Sequence, residues 1–130
     1  MPDPMLGYTE LPPAIVDELA ERERQNEKWG EQNHPDGTGP DEFPLEELYI
    51  ELPLMENLQT ARATRLRDVA RALTNDRARA DEVTWTHILL EEVFEALAES
   101  DPRALHAELV QVAAVATQWA DAIQRRGDLS

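Results

Sequence analysis

The sequence predicts an all-α fold, a bundle of four to five helices completed by oligomerisation. Three observations predict it. Apolar residues recur at helical spacing through most of the chain. No stretch sustains the alternation of a strand, and no internal repeat is present. Proline, glycine and capping residues fall where such stretches begin and end. With 130 residues, the chain suits one domain, 1–130, large enough for one hydrophobic core.

Residues 1–11, "MPDPMLGYTEL", are Pro-rich and expected to be loose. A first helix opens at Pro12–Pro13, carries Ile15, Val16 and Leu19 on a short apolar face, and runs to about Lys28 before Gly30. Residues 30–44, "GEQNHPDGTGPDEFP", read as an irregular loop, and long ordered loops are often functional. Residues 45–53 are ambiguous, and Pro53 ends whatever forms there. A helix is expected over 54–75, with Met55, Leu58, Leu66, Val69 and Leu73 at helical spacing. "NDRARADEV" reads as a polar connection. Thr84 can cap a helix over 85–99. "SDP" then supplies a cap and a first-turn proline for a helix from about 102 to 125, closed by Gly127.

Acidic residues number 27 and basic ones 12, giving a formal charge of −15. Such a surface repels nucleic-acid backbones and anionic membranes, so neither is expected as a partner. Six of the basic residues, Arg62, Arg65, Arg67, Arg71, Arg77 and Arg79, cluster in one run, which reads as an ion-paired surface or subunit contact. Cysteine is absent, which excludes disulfides and thiolate chemistry. The N-terminus has no signal-like apolar run and no segment reaches membrane-spanning length, so a cytoplasmic location is expected. Walker, Gly-rich phosphate and serine-elbow motifs are absent.

At about 100° per residue, Trp85, Ile88, Leu89 and Ala96 define one inward stripe. Glu92 falls near its middle, with Glu95 at its edge and Glu91 further round. On the following helix, Leu105, Leu109, Val112, Ala116, Trp119 and Ile123 form the stripe; Glu108 lies inside it and Gln111 at its edge. Carboxylates inside apolar stripes are costly unless compensated. Arginine pairing, protonation or a shared divalent ion would each compensate them. Glutamates at i and i+3 share a face and can converge on one ion. An all-oxygen donor set suits Mg2+ or Mn2+.

"EEVFE" (Glu91, Glu92, Glu95) followed by "ELVQ" (Glu108 to Gln111) resembles the Glu-Glu-x-x-Glu and Glu-x-x-Asp motifs of the MazG-like all-α nucleoside triphosphate pyrophosphohydrolases. "ERERQNEKWGEQNHPDGTG" resembles the N-terminal segment of a subgroup with the same layout, and the likeness covers 15–39 and 84–125. It implies a Mg2+-dependent (or Mn2+-dependent) enzyme that hydrolyses a nucleoside triphosphate to the monophosphate and pyrophosphate. It implies Glu92, Glu95 and Glu108 as the principal metal ligands. Glu91 would bind a further ion or orient the attacking water. It also implies a homodimer or homotetramer. The chain departs from the pattern at Gln111, where the family carries a carboxylate; an amide offers a metal one neutral oxygen and no charge.

The same likeness points Gln25, Lys28, Trp29, Gln32 and His34 at nucleotide: Trp29 to stack on a base, Gln25 to read its edge, Lys28 to meet phosphate. The plain alternative makes Trp29 a helix-end core plug and Lys28 a surface charge. Arg62 falls in the apolar stripe of an unbroken 54–75 helix, where it would turn toward the acidic cluster or a phosphate; otherwise it buries its stem and keeps its head in water. "EQNH" is formally Glu-x-x-His but lies in a loop and occurs once, so a di-iron site is rejected. Two further readings stay open beside the enzyme. One is a catalytically weak or inactive MazG-like module that binds nucleotide or a protein partner. The other is a structural acidic bundle.

Overall fold

A computed structural model describes residues 11–42, 46–52, 56 and 60–127. They form five helices and no strand: α1 (Pro13–Trp29), α2 (Glu46–Glu51), α3 (Ala63–Arg79), α4 (Trp85–Leu97) and α5 (Pro102–Arg125). No helix among them is long and apolar enough to cross a membrane. The loose N-terminus expected over 1–11 lies, except for Leu11, outside the described residues.

Local chemistry accounts for most boundaries. Pro13 opens α1 with its φ preset and no amide to waste. Gly30 closes it at φ 69°, donating its N–H to Asn26 O at 2.8 Å. α4 starts on a reciprocal cap. Thr84 Oγ1 accepts from His87 N, and Thr84 N donates to His87 Nδ1 at 3.0 Å. Asp101 caps α5 by accepting from Ala104 N at 3.0 Å, with Pro102 in the first turn.

The helix expected over 54–75 is corrected at both ends. α3 begins at Ala63, and Arg62 is its extended, exposed N-cap residue. Met55 and Leu58 lie outside the described residues. At the other end "NDRAR" continues the helix instead of linking it, because arginine and alanine favour helix and nothing breaks it before Ala80.

α3 packs on α4, α4 on α5, α1 on α5, and α2 on α3. Leu48, Leu52, Val69 and Ala70 form one core cluster, with Leu66, Leu73, Leu90 and Phe94 against it. Trp85, Val115 and Ala122 form another, with Ile88, Leu89 and Trp119 against it. The Trp85 and Trp119 rings stack at 6.2 Å.

α1 inverts the expected pattern, and α5 departs from it in part. α1 buries Glu18 and Glu21, while Ile15, Val16 and Leu19 remain 41, 47 and 40% exposed. On α5 the buried residues are Val110, Ala114, Val115 and Ala122, whereas Leu109 is 53% exposed and Ala116 is also exposed. Of the stripe expected through Leu105, Leu109, Val112, Ala116, Trp119 and Ile123, Leu109 and Ala116 are thus exposed, Leu105, Val112 and Ile123 are half-buried, and Trp119 packs against the core. A polar seam accounts for this: Thr117 Oγ1 donates to Glu18 Oε1 at 2.7 Å, and Arg22 pairs with Asp121. These bonds satisfy groups that would otherwise be costly to bury.

Candidate metal and nucleotide site

The Ser-Asp-Pro turn sets α4 against α5 so that their glutamates meet. Glu92 and Glu95 from α4 and Glu108 from α5 each offer a carboxylate oxygen, and these oxygens lie within 4.8 Å of one another. The three line a recess of about 270 Å3 together with Ala107 and Gln111. Glu91 stands outside this convergence and lines neither that recess nor the larger pocket beside it.

Crowding and desolvation act on Glu91, Glu92 and Glu108. Burial, then the neighbouring Glu95, Glu91 and Glu108 charges, push Glu92 up to about 8. Burial and Glu95 push Glu91 up to about 7. Burial first, then Glu95 and Glu99, raise Glu108. Burial and mutual repulsion thus oppose full ionisation of the cluster. One cation does reach it: Arg71 of α3 donates from its terminal nitrogen to Glu95 Oε1 at 3.0 Å and from Nε at 3.3 Å.

A pocket of about 550 Å3 adjoins the recess, with Glu92 and Gln111 lining both. Gln25, Lys28, Trp29, Gln32 and His34 all line it, so five residues expected to face nucleotide are brought together. Ile88 and Val115 give it an apolar side, and Glu21 and Arg24 join from α1. Trp29 is 62% exposed, which excludes the core-plug role, and the Lys28 ammonium sits 4.8 Å from its ring centre. Arg62 is the exception. Because α3 starts after it, it has no stripe position from which to turn inward, and it lines neither cavity.

The loop that carries Gln32 and His34 is pinned from two directions. Trp85 N donates to Pro35 O at 2.9 Å and Thr86 N to Asp36 O at 3.1 Å. The Asp36 carboxylate accepts from Trp119 Nε1 at 2.8 Å and from both terminal nitrogens of Arg126. These two partners hold its pKa below the usual carboxylate value. Gly37 passes so close to Thr84 that a Cβ would lie 2.6 Å from Oγ1. His34 meets the Trp85 ring edge-on at 5.0 Å, and burial lowers its pKa, so it is neutral at pH 7.

Gln111 is engaged elsewhere. Its Oε1 accepts from Gln25 Nε2 at 3.0 Å, and the same amide donates to Glu21 Oε1 at 3.2 Å. Gln25 is thus a strut between α1 and α5 as well as a pocket wall. Two participants escaped the sequence reading. Glu21 sat among several acidic residues with no apolar stripe to mark it. Arg71 was one of six arginines in a run, and only the packing of α3 on α4 singles it out.

Comparisons with family models, curated proteins and solved structures give no match to this chain. The MazG-like resemblance therefore rests on the motifs themselves.

Proposed function

We propose that the chain is a MazG-like, Mg2+-dependent nucleotide pyrophosphohydrolase that converts a nucleoside triphosphate and water to the monophosphate and pyrophosphate. The observation that carries this reading is the convergence of Glu92, Glu95 and Glu108 beside a half-apolar pocket walled by Gln25, Lys28, Trp29 and His34. The donor set fits a hard divalent cation: it is all oxygen, it is supplied by two helices, and its mutual repulsion when ionised is what a cation would relieve. Glu92, Glu95 and Glu108 would hold Mg2+, or Mn2+ in its place. The bound cation would offset charge on the phosphate oxygens and bring an anionic substrate to a protein of charge −15.

The chain's own groups divide the remaining work. Trp29 offers a ring face to a base, the Gln25 amide oxygen offers an acceptor to its edge, and the Gln32 amide nitrogen offers donors. Lys28 and Arg24 supply positive charge for the phosphate chain. Glu91, the leading glutamate of the resemblance, adjoins Glu92 on α4 and lines neither cavity; in this reading it orients the attacking water or holds a further ion from beside the cluster. The water oxygen bonds to phosphorus, the bond to the departing pyrophosphate breaks, and the proton lost by the water passes to solvent.

A homodimer or homotetramer belongs to the same reading. The exposed Ile15, Val16 and Leu19 of α1 and Leu109 of α5 support it, since a second copy would cover them. A cytoplasmic setting suits a nucleotide substrate.

One observation favours a second reading, a non-catalytic module that binds nucleotide or a protein partner. The Gln111 oxygen is already used by Gln25, and it carries no charge. A panel of canonical and modified nucleotides, incubated with Mg2+ or Mn2+ and assayed for pyrophosphate, separates the two. Turnover lost in Glu92→Gln supports the enzyme. Absence of turnover in wild type, with activity gained in Gln111→Asp, supports the module.

A further inference from the structure

Arg71 lies on α3, a helix that supplies none of the three convergent carboxylates. Yet its guanidinium makes two hydrogen bonds to Glu95 Oε1, at 3.0 and 3.3 Å. Its field also reaches Glu91 and Glu108. No other basic side chain among the described residues forms an ion pair with these glutamates. Arg71 is half-exposed and Glu95 mostly covered, so the pair is partly open to solvent.

We propose that Arg71 is a displaceable counter-ion. It holds Glu95 in the metal-free protein, yields that carboxylate to the divalent cation, and then binds the phosphate chain. The inference rests on the cation reading of the site. Two physical facts carry it. Glu95 Oε1 cannot give its strongest interaction to a guanidinium and a metal at once, so the ion pair opposes cation binding. A guanidinium released beside Glu95 is a planar fork suited to phosphate oxygens. An exposed pair is only modestly stable, so the opposition is small enough for a cation to overcome.

The test is Mn2+ binding, followed by calorimetry or electron spin resonance, to wild type, Arg71→Gln and Arg71→Lys without nucleotide. Pyrophosphate is then titrated into each Mn2+-loaded protein. The expected result for Arg71→Gln is Mn2+ binding roughly two- to fivefold tighter, from loss of a partly exposed ion pair. Pyrophosphate binding should weaken in the same variant. Arg71→Lys should fall between, because it keeps the charge without the fork. Equal or weaker Mn2+ binding in Arg71→Gln, or unchanged pyrophosphate binding, overturns the counter-ion role and leaves the metal site standing. No Mn2+ binding in wild type or in either variant overturns both readings.

Discussion

Glu92 concentrates the energetic problem of this chain. Burial and three neighbouring carboxylates raise its pKa to about 8, and Glu91 rises to about 7, both from 4.5. The folded protein therefore keeps protons that the unfolded chain has already released between about pH 4.5 and 8. Stability without metal should fall across that window, because the native state binds more protons there. Thermal midpoints measured in chelator from pH 5 to 9 should decline toward pH 8. Glu92→Gln should flatten the decline, and Mg2+ should restore the midpoint of wild type alone. Gln111 supplies a second prediction at this scale. Gln111→Asp adds charge beside Glu108 and should tighten Mn2+ binding by about 1 kcal/mol, roughly fivefold, in a titration. Glu92 and Glu108 were legible in the sequence because each broke an apolar period, whereas the buried Glu18 and Glu21 of α1 were not. The bond from Gln25 to Gln111 was not, because 86 residues separate the partners and only tertiary packing joins them.

Among the elements, the cap at Thr84 and the loop against it position the pocket wall together. Thr84→Ala removes one reciprocal bond of the cap and should cost about 1 kcal/mol in denaturant melts. Gly37→Ala should cost roughly 1–3 kcal/mol. It places a Cβ at 2.6 Å from Thr84 Oγ1 and forces a side chain onto φ 76°. Gly30→Ala, at φ 69° but in open space, should cost less, which separates the clash from the backbone term. The starts of α1, α4 and α5 were readable because proline, threonine and aspartate act on adjacent amides. The start of α3 was misread because Met55, Leu58 and Leu66 share a helical phase, and no proline or glycine follows Pro53 before Ala63. Periodicity does not say where a helix begins when no cap marks it.

At the scale of the molecule, a helix that buries Glu18 and Glu21 while exposing Ile15, Val16 and Leu19 is poorly used in isolation. Light scattering at micromolar concentration should give a dimer or tetramer, and Leu19→Glu with Leu109→Glu should shift it toward monomer. A wild-type monomer would contradict that assembly. The all-α class was legible from period and caps, but which face of α5 turns inward was not. The wheel chose the apolar stripe, while the polar seam to α1 rotated the buried face to Val110, Ala114 and Ala122. The central claim is that α4 and α5 together form one cradle for a divalent cation. Mn2+ titration of wild type beside Glu92→Gln and Glu108→Gln tests it most directly. Saturable binding by wild type, weakened at least tenfold by either substitution, is the predicted result. Binding that survives both substitutions unchanged, or no binding by wild type, would contradict it.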